Sequence, residues 1–150
     1  MSAAVEQRAH IPSGSGMRWG RILVTAVLLE VVLVAVLVPI GVIFGGPFMP
    51  GSNATADYTV FFTAVPLACL VFGYVAGMLV VREAARKYAA HGLWVGVFAT
   101  ALYFLMCLFQ EGGLPAVIAG YGVGLFWVTQ VLRIAGCIAG AIARGPSRPC

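Results

Sequence analysis

Four long apolar runs, at residues 22–44, 58–81, 93–109 and 117–143, are separated by short breaks rich in Gly, Pro or charge. A bilayer core about 30 Å thick needs about 20 helical residues, so each run predicts one membrane-crossing helix. The apolar residues are continuous and do not alternate, which argues against barrel strands. A helix also satisfies its own backbone groups, as lipid demands. The expected fold class is therefore all-α, a four-transmembrane-helix bundle with short loops. The connections at 45–57, 82–92 and 110–116 leave no room for a separate soluble domain. Residues 1–20 are expected to be a flexible cytoplasmic N-terminus, 21–143 a single four-helix membrane domain, and 144–150 a cytoplasmic tail. At 23 residues the first run exceeds the 7–15-residue apolar region of a signal peptide, so it is expected to stay as a span.

Composition narrows the function classes. Of the 150 residues, 61% are hydrophobic and 9% charged, against about 25% charged in a soluble domain. So few charges cannot coat a soluble enzyme, and they exclude a nucleic-acid binder. Where the charges fall predicts an orientation. Arg8, Arg18, Arg21, Arg82, Arg86, Lys87, Arg144 and Arg148 flank one set of span ends, whereas the other side carries only Asp57 and Glu111. By the positive-inside rule both termini are expected in the cytoplasm, N-in/C-in, in a bacterial cytoplasmic (inner) membrane. Glu83 and Lys87 are spaced for a helical ion pair. The second helix is expected to continue past them and to stop near Gly92, a natural C-cap.

Lipid gives helices no hydrophobic reason to associate, so close packing falls to small residues. Gly-x-x-x-Gly occurs six times: Gly16/Gly20, Gly41/Gly45, Gly73/Gly77, Gly92/Gly96, Gly120/Gly124 and Gly136/Gly140. At the helical period, Pro66, Cys69, Gly73 and Gly77 share one stripe, and Gly96, Thr100, Tyr103 and Cys107 another. Glu30, Val34, Leu37 and Gly41 align on the first span. On the fourth, Gly122, Thr129, Arg133, Cys137 and Gly140 align, with Gly120 and Gly124 facing the opposite way. That second face is expected either to serve the bundle or to meet a partner or a second copy.

Two charges lie deep in the spans, where a charge is costly and usually paired or functional. Glu30 is nine residues past Arg21, about 13 Å along a helix, and Arg133 is eleven before Arg144, about 16 Å. Both lengths run from the same membrane face, so the two charges are expected at one level, as a buried ion pair between the first and fourth helices. Thr129 and Gln130 are expected to satisfy its leftover donors and acceptors.

Two resemblances attach to these residues. Ala26-Val27-Leu28-Leu29-Glu30-Val31 resembles the first helix of small multidrug resistance transporters. That likeness implies a four-helix transporter with an essential membrane-embedded Glu. Arg133 departs from that family, which has no such counter-charge, and a paired Glu would be a poor proton-coupled site. Gly73-x-x-x-Gly77, the basic cluster and His91-Gly92-x-x-x-Gly96 resemble small bacterial four-helix membrane proteins, which implies an architecture and no activity.

His10 and His91 fall outside the apolar runs. His91 is expected as an interfacial polar residue at a helix end and is the single candidate for a haem or pigment ligand. No His/Cys/Asp/Glu cluster has metal-ligand spacing, and no cofactor is expected beyond bound lipid. Cys69, Cys107, Cys137 and Cys150 are expected as free thiols. No catalytic constellation is present. The expected function is a non-catalytic integral membrane subunit or assembly factor, partnered by the bilayer and by other membrane subunits or its own copies through Gly faces. The alternative is a small oligomeric transporter or channel with Glu30 as its coupling residue.

Overall fold

The computed structural model describes residues 17–44, 59–81, 87–110 and 112–145. Among them are five helices and no strand: α1 (Trp19–Phe44), α2 (Thr59–Val80), α3 (Tyr88–Leu108), α4 (Gly113–Tyr121) and α5 (Val123–Ala143). Four of these, all but α4, are long and apolar enough to cross a membrane. The protein is an all-helical bundle, and its apolar helices point to contact with a lipid bilayer.

Contacts between helix ends set the directions. The Arg21 guanidinium donates to the Leu79 carbonyl at 3.0 Å, one of the carbonyls that the end of α2 leaves without a partner in its own helix. Trp19 meets Trp94 edge-on at 5.4 Å and Phe98 at 6.2 Å. Gly145 lies beside Tyr88. The start of α1, the end of α2, the start of α3 and the end of α5 thus share one end of the bundle. There, α1 and α3 run one way and α2 and α5 the other. Arg18, Arg21, Lys87 and Arg144 sit at this end.

Helix α5 is the most enclosed span and α1 the most exposed. The reason is glycine. A Cβ on Gly73 would lie 2.8 Å from the Arg133 carbonyl oxygen, and one on Gly77 would collide with the Cys137 carbonyl. In return, a Cβ on Gly136 would lie 2.5 Å from the Leu70 carbonyl oxygen, and one on Gly140 would strike that of Tyr74. On the other flank of α5, Gly92 meets the same Cys137 carbonyl, and Gly96 would bring a Cβ within 2.8 Å of the Ile134 Cα. Backbone touches backbone along both seams, so α5 is wedged between α2 and α3.

The structure corrects several expectations. Helix α1 begins at Trp19, inside the stretch expected to be flexible. Helix α2 ends at Val80 and does not run on to Gly92. Lys87 adopts φ 60°, outside any helix, and Gly92 lies within α3. The fourth span is not one continuous helix. It breaks at Gly122, with φ 76° and ψ 137°, a backbone conformation that an L side chain rarely tolerates. The preceding nine residues form the short helix α4, which packs Val117, Leu114 and Ile118 into a small second core with Cys107 and Phe126. With the break between them, Gly120 and Gly124 do not form one straight packing face. Gly124 is exposed, and a Cβ there would meet nothing within 4 Å. Gly122, exposed at the elbow, leaves the Thr129–Arg133–Cys137–Gly140 stripe. Gly41 is buried in α1. The link 45–58, Glu83, Glu111, His10 and Cys150 lie outside the described residues, so the Glu83–Lys87 pairing does too.

Candidate functional site

The centre of the bundle is built around Arg133, which lies on the enclosed face of α5 at 3% exposure. Its neighbours come from the three other long helices. From α1, Glu30 Oε1 stands 2.7 Å from Arg133 Nη1. From α3, the Ala99 carbonyl accepts from Nη1 at 3.4 Å, and the Tyr103 ring lies under the guanidinium carbon at 4.9 Å. From α2, Cys69 Sγ accepts from Nη2 at 3.8 Å. A guanidinium carries five N–H donors in a fixed planar fork, which suits it to being held from several sides at once. The ring face adds the attraction of an aromatic quadrupole for a cation.

The pair is close but not fully satisfied. The donor N–H is not aligned on Glu30 Oε1, so the contact is coulombic rather than a directed hydrogen bond. Arg133 Nε is buried with no acceptor. Thr129 and Gln130, expected to support the pair, do not. The Thr129 hydroxyl donates back to the Phe126 carbonyl of its own helix at 2.6 Å, a local bond that Thr readily makes. Gln130 Nε2 donates to Thr129 Oγ1 at 3.3 Å, and its Oε1 is buried without a partner. Cys69, Ala99 and Tyr103 take the expected places. Two of these residues sit on the stripes that face α5, and that was the available signal. They come from other helices, whereas Thr129 and Gln130 are merely near in sequence.

A cavity of about 150 Å³ opens beside the pair. Glu30, Arg133 and Tyr103 line it, with Phe61, Tyr121 and the exposed Gln110 farther along. All the lining residues lie at or beyond the pair's level on the side away from Trp19, so the void belongs to one half of the bundle. Between α1 and α3 runs a second hollow, a groove of about 450 Å³. It is lined by Val27, Val31, Ala35, Leu102 and Leu105 and shares Glu30, Val34 and Met106 with the cavity.

His91 does lie at a helix end, in the first turn of α3, but at 3% exposure it is buried there rather than interfacial. Its Nδ1 is placed to donate to the Lys87 carbonyl at 3.0 Å, and Nε2 is buried without a partner. Cys69, Cys107 and Cys137 are buried free thiols. Among the described residues, no three His, Cys, Asp or Glu side chains are grouped to hold a metal. Comparison with known proteins found no matching family model, no matching curated protein and no matching solved structure.

Proposed function

We propose that this chain is a non-catalytic membrane subunit or assembly factor that packs into a larger complex, with bound lipid and no resident cofactor. The observation that carries the reading is the hold on Arg133. One cation is fixed by groups from α1, α2 and α3 and neutralised by Glu30, while α5 is locked between glycine seams. A centre bound in this way is suited to hold helices in register and poorly suited to carry ions. The basic residues gathered at one end support an N-in/C-in insertion in a bacterial inner membrane. The test is the mass of the particle released from its native membrane into a polymer disc. A reproducible complex with other polypeptides is expected. Particles holding only copies of this chain would overturn the reading. Reporters fused to each terminus check the orientation, and both are expected to read cytoplasmic.

The cavity favours a second reading, a small oligomeric transporter in which Glu30 binds or couples. Carbodiimide labelling separates the two. Substrate-dependent protection of Glu30 supports transport, and an unreactive Glu30 supports the locked pair.

A further inference from the structure

We propose that the cavity beside Glu30 and Arg133 binds an uncharged, hydroxyl-bearing head on a hydrocarbon tail, a lipid-soluble phenol or alcohol, which enters sideways between α1 and α3. The inference stands apart from the subunit reading, since either a subunit or a transporter can hold such a molecule.

Size is the first argument. A core cavity of about 150 Å³ takes a benzene-sized guest. Its walls suit a small head, with the aromatic rings of Phe61, Tyr103 and Tyr121 facing apolar Leu33, Leu37 and Val117. Phe61 and Tyr121 pack against each other at 6.1 Å.

The floor sets the chemistry. Glu30 and Arg133, each at most 5% exposed, are the two charged side chains in the lining, a carboxylate that accepts and a guanidinium that donates. A hydroxyl donates one hydrogen bond and accepts others, so a single group complements both. A charged head fits worse. An anion would compete with Glu30 for the guanidinium, a cation with Arg133 for the carboxylate, and either would bury net charge.

The route sets the tail. The groove between α1 and α3 is lined, apart from Glu30, by aliphatic side chains and Met106. Val27, Val31, Val34, Leu105 and Met106 are exposed on the apolar outer surface. The groove meets the cavity at Glu30, Val34 and Met106, so a chain lying there leads a head to the pair.

The test uses the full chain in discs of phosphatidylcholine and phosphatidylglycerol, with a diazirine-bearing p-alkylphenol as photoprobe and peptide mapping as readout. Labels are expected within residues 30–38 and 102–107. Excess p-dodecylphenol should suppress them, and dodecylbenzene about tenfold less well, the difference that one hydrogen bond makes. Dodecanol separates the two sources. Competition equal to the phenol's supports a chain alcohol as the natural guest, and weaker competition supports a ring. Val34→Trp places a bulky ring at the shared mouth, on an already exposed position, and should abolish labelling while the protein stays folded. Glu30→Gln with Arg133→Met should erase the preference for phenol over benzene. Equal competition by p-dodecylphenol and dodecylbenzene, or full labelling of folded Val34→Trp protein, would overturn the proposal. If the double variant does not fold, Val34→Trp decides the matter.

Discussion

The two halves of this bundle are made from different materials. On the side of Trp19, Gly73, Gly77, Gly92, Gly96, Gly136 and Gly140 let three helices touch along their backbones. Little space is left between them. On the other side the helices are spaced by rings. Phe104 stacks on Phe126 at 5.8 Å with planes 10° apart, Tyr103 and Trp127 flank them, and a cavity remains. Arg133 sits at the boundary. The lesson is that helix separation in lipid follows side-chain size at the seam: backbone contact where there is no side chain, and leftover volume where flat rings cannot fill an irregular gap.

The difference can be broken or sharpened by substitution. The largest effect is expected from Gly77→Leu. Its side chain would be driven into the Cys137 backbone, and a backbone cannot yield as a side chain can. Loss of the monodisperse folded species in size-exclusion chromatography is expected, beyond the roughly 3 kcal/mol of ordinary overpacking. Next is Glu30→Gln, which strands the Arg133 charge and should cost about 3–5 kcal/mol in reversible unfolding. Adding Arg133→Met should recover a large part of that loss. Equal losses for the single and double variants would show that the two charges do not act as a pair.

A smaller cost is expected at the elbow. Gly122→Ala forces a side chain onto φ 76°, and about 1–3 kcal/mol should be lost. An unchanged unfolding midpoint would mean that the elbow straightens freely. The smallest effect belongs to Gly124→Leu, where a new Cβ meets open space. A change within about 0.5 kcal/mol is expected. If this variant behaved like Gly77→Leu, the outer face would be covered in the native membrane, and the mass of the extracted particle should then reveal by what.

Much of the architecture is legible in the chain because lipid imposes one simple demand, long apolar helices. The spacing of Gly73/Gly77 and Gly136/Gly140 marks the seam between α2 and α5. Counting residues from Arg21 and Arg144 puts Glu30 and Arg133 at one level, and they stand 2.7 Å apart. Other details depend on dihedral angles and on the neighbouring helix, which composition does not reveal. Gly122 looks like one more small residue on a stripe until its ψ is known. Thr129 looks like a partner for Arg133 because it lies four residues away, but its hydroxyl is taken by its own helix. His91 looks peripheral because it precedes an apolar run, but α3 starts three residues earlier and draws it inside.

The enclosed position of α5 has a consequence for how the chain is made. The helix that both glycine seams require leaves the ribosome after α1, α2 and α3. At ordinary synthesis rates Glu30 emerges roughly 5–20 s before Arg133. During that interval a carboxyl group deep in the first span has no counter-ion, and the glycine faces of α2 and α3 have nothing to close on. Until α5 arrives, the three earlier spans have no centre to close around. A chain stopped short of Arg133 would lack both its charge balance and its centre.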